Sequence, residues 1–275
     1  MLATMHGKEV AIAPALRERL GLIVEVAEGI DTDRLGTFTG EIPRAGTIEE
    51  AAIAKARLGM AVADARIGVA SEGSYGPHPQ IPFIGAGFEL MVLVDDERKI
   101  VVREHLIDET PVYSHTVAAT DSELNAFLQS ISFPAHALIL RPNAPRDGDT
   151  TLHKGVRTRE ELGRTLQDCA ERSGDGRVFI QTDMRAHMNP TRMDAIGRLA
   201  KRFADRLVCL CPACRTPGYG LIAVEKGLPC NWCGGPTLMV RHQIFGCVSC
   251  ENKEKRERSD GLAEADPGQC TNCNP

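Results

Sequence analysis

The sequence predicts an α/β domain with a mixed sheet, followed by a small tandem zinc-ribbon module. Three observations carry this. Short apolar runs alternate with capped helical stretches over the first two hundred residues. The polar turn Asp95-Asp-Glu-Arg-Lys99 joins two neighbouring runs as a hairpin, so the sheet cannot be purely parallel. Four C-x-x-C pairs, Cys211/Cys214, Cys230/Cys233, Cys247/Cys250 and Cys270/Cys273, crowd the last quarter of the chain. The expected division is residues 1–207 for the α/β domain and 208–275 for the ribbons.

Residues 22–26, 67–70, 90–94, 100–102, 137–140 and 178–180 read as strands. Helices open at caps. Thr47-Ile-Glu-Glu50 and Thr158-Arg-Glu-Glu161 have the capping-box form, Asp121 or Ser122 can cap a third helix, and Asn189-Pro190 puts Asn at the cap and Pro at the first helical position of another that should end near Leu207. The segment 142–149, with two prolines, Asn and Gly, is a loop.

A tetrahedral zinc takes four thiolates, and each C-x-x-C supplies two from one tight knuckle. Two knuckles close one site. Fifteen residues separate the first two pairs and nineteen the last two, both suited to a ribbon. Pairing in sequence order gives Cys211, Cys214, Cys230 and Cys233 for one zinc and Cys247, Cys250, Cys270 and Cys273 for the other; an interleaved brace is the alternative. Residues 221–224 and 238–240 read as the ribbon strands, and Cys169 and Cys209 as non-ligands. The chain opens Met1-Leu-Ala-Thr without a secretory leader and lacks an apolar run long enough for a bilayer, so a reducing cytoplasm and no membrane are expected.

With 43% hydrophobic and 25% charged residues the composition is that of a globular protein. The formal net charge is -5, and eight thiolates offset by two Zn(II) ions move it to about -9. Together with only 12 aromatic residues, this argues against nucleic acid as a partner. The mixed run 251–258, with four bases and three acids, reads as a solvated loop.

Polar residues cluster at three element ends. Thr4-Met-His-Gly-Lys8 precedes a helix and offers a hydroxyl, a glycine turn and a cation to an anion, with His6 beside them. Thr47-Ile-Glu-Glu-Ala-Ala-Ile-Ala-Lys-Ala56 carries Glu50 and Lys55, for which a capping acid and a solvated lysine are the plainer roles. Gly68-Val-Ala-Ser-Glu-Gly-Ser-Tyr-Gly76 reads as a buried strand ending in an acidic turn at Glu72, where α/β sheets place ligands. A further loop, 182–193, packs Asp183, Arg185, His187, Asn189 and Arg192 around a helix start; ligand contact competes there with an Asn cap and a structural Asp183–Arg185 pair. His78 and Gln80 lie in a proline-rich loop that reads as a lid or a rigid cover. His105, His115 and His136 read as satisfied core or surface histidines.

In order and spacing these clusters resemble the inosine triphosphatase superfamily, nucleoside triphosphate pyrophosphohydrolases, over roughly residues 1 to 172. Thr4 and Lys8 match its T-N-x-x-K loop, with Met5 and His6 replacing Asn-Pro. Thr47, Glu50, Ala52, Lys55 and Ala56 match T-x-x-E-x-A-x-x-K-A. Glu72-Gly73 resembles the E-G-G turn of the non-canonical purine branch, and His153-Lys-Gly-Val-Arg-Thr-Arg159 its later L-T-x-G-x-x-T-R segment. The resemblance implies a magnesium ion on Glu50 and Glu72, neutralisation of a triphosphate by Lys8 and Lys55, attack of water on the α-phosphorus, and release of pyrophosphate. It implies substrate contacts from Thr4 and Lys8, with His187 and Arg192 as a looser equivalent of the family's late base-reading segment, and it allows a homodimer; His6 in the first loop and Arg185 in the 182–193 loop join them as candidate substrate contacts by position alone. Ser71 departs from the pattern, standing where a second acid often sits. The whole chain is also similar to a bacterial family, without an assigned activity, that joins such a domain to a double zinc ribbon; segments 70–83, 182–193 and 266–275 carry that likeness. The competing expectation is a non-catalytic module that binds a nucleotide or other phosphorylated metabolite while the ribbons dock a protein. A nucleic-acid-associated ribbon protein ranks third.

Overall fold

The computed structural model describes residues 1–36, 42–44, 46–78 and 81–275, so Gln80 lies outside the described residues. In chain order the elements are α1 (Glu9–Leu20), α2 (Ile48–Val62), β1 (Ile67–Pro77), β2 (Gly85–Asp95), β3 (Ile100–Asp108), β4 (His115–Ala118), α3 (Asn125–Ser130), β5 (Leu138–Pro142), β6 (His153–Val156), α4 (Arg159–Arg172), β7 (Val178–Thr182), α5 (Pro190–Val208), β8 (Gly220–Lys226), β9 (Val240–Gly246) and β10 (Lys253–Glu257). Among the described residues no helix is long and apolar enough to cross a membrane.

The first sheet runs β1-β2-β3, antiparallel throughout, and its side chains divide with the period of two that a strand imposes. Ala70, Leu90, Val92 and Val94 face α2 with Ala52, Ala56 and Met60. Val69, Met91, Leu93, Val102 and Leu106 face the opposite way, onto Ile12 and Leu16 of α1 and Ile196, Leu199 and Phe203 of α5. The result is three layers. Each fully buried Leu or Phe in them contributes roughly 1.5–3 kcal/mol over an exposed one. Helix α2 lies so close to the sheet that a β-carbon at Gly68 would stand 2.6 Å from Met60 Cγ and 2.7 Å from Ala56 O. Only glycine permits that approach.

The second sheet, β4-β7-β5-β6, is also antiparallel and packs against α3 and α4 through Leu124, Leu128, Leu138, Leu140, Leu162, Leu166, Val178 and Ile180. Cys169 is buried in that core. Both capping boxes form at Thr47 and Thr158, Asn189 accepts from Arg192 N as a cap, and the third helix begins with a 3-10 turn at Asp121–Leu124.

Several expectations need correction. The named strands pair only antiparallel: hairpins join β1, β2 and β3, and in the second sheet β7 returns antiparallel to β5 after β6 and α4; parallel contacts near the first sheet are the isolated bridges of Leu2 to Val26 and Val69. Residues 22–26 therefore supply one bridge instead of a strand. Strand β1 does not end at Glu72: it continues to Pro77, with Glu72 opposite Leu90, so the acid stands in mid-strand. Strand β2 begins at Gly85 and carries Glu89 inside its apolar run. The run 251–258 is not a loop but contains the exposed edge strand β10. His78 is buried, with Nδ1 accepting from Ile81 N, while His136 is bonded to Thr191 and His105 and His115 stack on Phe88 and Phe179.

Candidate functional site

The loop before α1, the face of α2 and the middle of β1 converge on one cleft. Thr4, Lys8, Lys55, Ser71 and Glu72 are all buried there. Lys8, at the N-cap of α1, donates from Nζ to Ser71 O at 2.8 Å and Ser71 Oγ at 3.1 Å. Lys55 projects from α2 onto Glu72 Oε1 as an ion pair. Arg44 approaches Glu72 Oε2 at 3.5 Å and donates to Gly73 O at 3.0 Å. Thr4, His6, Lys8, Arg44, Lys55 and Glu72 line a small cavity of about 20 Å³, room for about one water molecule as it stands. Three cations thus surround one carboxylate. Burial, and then the nearby Arg192 charge, push the Lys8 ammonium down to about 8 against the pull of Glu72 and Glu89.

Glu50 is not among them. It is exposed, its Oε2 accepts from Thr47 N at 2.7 Å and Thr47 Oγ1 at 3.0 Å, and these bonds hold its carboxyl below the usual range. Lys55, by contrast, is not the solvated lysine of the plainer reading.

Arg192 sits beneath the cleft instead of lining it. It is 1% exposed and Glu89 is 0% exposed; Arg192 Nε donates to Glu89 Oε1 at 2.7 Å and Nη2 to Oε2 at 3.4 Å, while Nη1 bonds Met184 O. Tyr75 OH donates to Glu89 Oε1 at 2.6 Å, and burial, then the Glu89 charge, push the phenol upward. A β-carbon at Gly73 would meet Glu89 Oε1 at 2.6 Å and Arg192 Nη2 at 2.7 Å, so β1 just beyond Glu72 rests directly on this pair. Arg185 is committed to Asp183, with Nη2 to Oδ2 at 2.5 Å, as the structural reading of that loop expects. His187 stacks on His6 with centroids 5.2 Å apart, and Arg157 Nη2 donates to its carbonyl at 2.7 Å.

Of the residues singled out in the sequence, the fold brings together Thr4, His6, Lys8, Lys55 and Glu72, sets His187 beside His6, and leaves Glu50, Arg185 and Arg192 with other partners. Arg44, Glu89 and Tyr75 were not anticipated. Glu89 carried a signal: a lone acid inside an apolar strand must find a buried cation or hydrogen-bond donors. Arg44 carried none, since only tertiary folding brings it to Glu72.

The cysteines form two four-sulfur clusters, Cys211, Cys214, Cys247 and Cys250, and Cys230, Cys233, Cys270 and Cys273, with ligand atoms within 4.8 Å of one another in each. Sequential pairing is therefore wrong and the interleaved brace is right. The reason is strand direction. Strands β8 and β9 pair antiparallel with Gly220 opposite Gly246, so the knuckles before β8 and after β9 meet at one end; the β8–β9 loop and the chain after β10 meet at the other. Sulfur separations of 3.8 and 3.5 Å in the first cluster, and 3.9 and 3.7 Å in the second, match the edge of about 3.8 Å that Zn–S bonds of ~2.3 Å give a tetrahedron. Both donor sets fit zinc. With every position taken by a thiolate, such an ion organises the chain and leaves no place for a catalytic water. Cys209 is exposed and outside both clusters.

Searches of the curated proteins and of the solved structures find no match. A family model does match, over residues 55–275, a span that holds Lys55, Glu72, Glu89, Arg192 and all eight clustered cysteines. The chain belongs to that family, described as a domain of unknown function, DUF6671.

Proposed function

We propose that the α/β part of the chain binds a phosphorylated small molecule, with the phosphate held by Lys8, Lys55 and Arg44. A nucleotide belongs to that class. The observation that carries this reading is the three-to-one excess of cations over carboxylates in a buried cleft beside the first turn of α1. The three cations give the cleft a positive potential, and an anion entering it relieves their mutual repulsion; because the free space is only about 20 Å³, the anion enters by displacing the Arg44 and Lys55 side chains from Glu72.

The hydrolytic reading is less well supported, because the residues present do not fit magnesium. Its two expected ligands are engaged elsewhere: Glu50 closes the capping box, and Glu72 is held by Lys55 and Arg44. Among the described residues, the only groups of three or more His, Cys, Asp and Glu side chains close enough to share an ion are the cysteine clusters. No reaction step is assigned through magnesium. For the ribbons we propose structural zinc and a protein-contacting surface, supported by the exposure of Trp232 (77%) and Leu238 (71%) on the module. Nucleic acid remains disfavoured, since Lys255, Arg256 and Arg258 on and beside β10 are paired with Glu225, Glu254 and Asp260.

The test is binding of inorganic phosphate and nucleoside triphosphates to zinc-replete protein by calorimetry, alongside pyrophosphate release with magnesium. Lys8→Met is expected to weaken phosphate binding at least about tenfold and Glu72→Gln to tighten it. Pyrophosphate release that Glu72→Gln abolishes would restore the hydrolase reading. Failure of every phosphate compound to bind folded protein would discard both.

A further inference from the structure

A second pocket, of about 240 Å³, adjoins the charged cleft and shares Gly36 and Arg44 with it. Its polar walls include Ser74 and Tyr75 on β1, Gln181 and Thr182 on β7, and Tyr113 on the connection between the sheets, with Ile139 and Met184 as apolar lining. It therefore lies at the junction of the two sheets, where single-sheet elements leave a concave space.

The polar groups in this pocket divide into used and unused. Tyr75 OH is spent on Glu89, and Thr182 Oγ1 accepts from Ser114 N at 3.1 Å and donates to Ser114 O. Ser74 Oγ, Tyr113 OH and the Gln181 amide make no side-chain hydrogen bond among the described residues. All three are uncharged. Between them they offer hydroxyl and amide donors and acceptors, the complement of ligand hydroxyls, while the Tyr75 and Tyr113 rings, 5.7 Å apart and inclined at 44°, offer an apolar wall to C–H bonds.

Tyr75 is fixed from several sides. A β-carbon at Gly87, its cross-strand neighbour, would stand 2.5 Å from Tyr75 Cε1, and the Arg192 guanidinium carbon lies 5.5 Å from the ring centroid. A buried ion pair contributes little to stability compared with apolar residues of the same volume. Here the Glu89–Arg192 pair has a positional use, because it clamps one wall of the pocket before any ligand arrives.

Resting on the phosphate-binding reading above, we infer that this pocket receives a polyhydroxylated ring attached to the phosphate, so that the ligand is a sugar phosphate or the sugar-phosphate portion of a nucleotide. Arg44 spans the two parts. It pairs with Glu72 at the phosphate side and donates to the carbonyl of Gly73, which lines the ring side. Apart from Arg44 the residues lining the pocket are uncharged, and their hydroxyl and amide groups select against ligands that carry a second charge at the ring end.

The experiment is calorimetric titration of the full zinc-replete chain with inorganic phosphate, ribose 5-phosphate and a nucleoside monophosphate. Ribose 5-phosphate is expected to bind at least about tenfold tighter than inorganic phosphate, and Gln181→Leu and Tyr113→Ala, each checked for folding by thermal unfolding, are expected to collapse that ratio toward one. Loss of nucleotide affinity in the same two variants would show that the sugar is read within a nucleotide. Equal affinity of wild type for phosphate and ribose 5-phosphate, or a preference that survives both substitutions, overturns the inference while leaving the phosphate site standing. If inorganic phosphate and both esters all fail to bind, the phosphate site falls with it.

Discussion

The charged cleft and the zinc module are built on opposite plans. In the module the donors come in pairs three residues apart, so half of each site exists locally, and folding has only to bring two knuckles together. In the cleft no two charged partners are local: Lys8, Arg44, Lys55 and Glu72 come from a loop, a second loop, a helix and a strand. The difference teaches where sequence spacing is informative. A local knuckle announces its chemistry in the sequence, whereas a cleft assembled across four elements announces only its ingredients.

The largest effects should fall on the module. Structural zinc in small domains contributes an apparent ~10–16 kcal/mol at neutral pH, so chelation should unfold residues beyond α5, the sheet β8-β9-β10 included, while the helices and the two sheets before it persist on circular dichroism. The interleaved brace makes a sharper claim. With cadmium-113 in place of zinc, two resonances are expected; Cys214→Ser and Cys247→Ser should remove the same one, and Cys233→Ser and Cys270→Ser the other. If Cys214→Ser and Cys233→Ser instead share a resonance, the pairing is sequential. The two cysteine clusters lie at opposite ends of the seven-residue strand β9, about 20 Å apart at ~3.3 Å per residue, so each substitution should disturb one site and leave the other intact.

Next in size is the pair under the cleft. Glu89→Gln or Arg192→Met leaves a buried charge uncompensated, and urea unfolding should show a loss of about 3–5 kcal/mol in each. Replacing both at once, Glu89→Leu with Arg192→Met, should recover most of that loss but not the sugar preference. A double variant as unstable as the singles would mean that the pair is needed for the fold itself and not for holding Tyr75.

These contrasts explain how far the sequence could be read. Capping boxes at Thr47 and Thr158 and the Asn189-Pro190 helix start are set by neighbouring residues, and each forms where the sequence puts it. Strand direction is not a local property: β1, β2 and β3 were legible as strands, but their antiparallel pairing, the extension of β1 through Glu72 and the meeting of Cys214 with Cys247 depend on which edge finds which. Glu50 shows the converse hazard. A position that matches a motif can be spent on local structure, and there the capping box wins because its hydrogen bonds form within one turn.

A smaller, pH-dependent effect follows from Lys8. Its ammonium titrates at about 8 in the folded chain, below the ordinary lysine value of 10.5, so between those values the unfolded chain binds the extra proton. Lys8 therefore destabilises the fold below pH ~8, and its contribution to stability rises as pH increases from there toward 10.5. Phosphate affinity should move the other way, falling as pH rises through that value because the binding cation is lost. Calorimetry at about pH 6.5, about 8 and about 9.5 should show this decline in wild type and a flatter profile in Lys8→Met. An equal decline in both would assign the titration to another group.

The smallest effect separates the two regions of α2. Thr47→Ala removes one half of the capping box and should cost about 1 kcal/mol in urea unfolding. Glu50→Gln should be mild at neutral pH, and since hydrogen bonds from Thr47 hold the Glu50 carboxyl below its ordinary range, the part of stability it contributes is present near neutrality and lost as the solution is acidified through the folded pKa. Neither change should alter phosphate affinity, because both groups are exposed at the helix start and absent from the lining of the cleft. A drop in affinity for Glu50→Gln with the helix intact would move Glu50 from the cap into the site, and with it would return the carboxylate pair that a divalent cation needs.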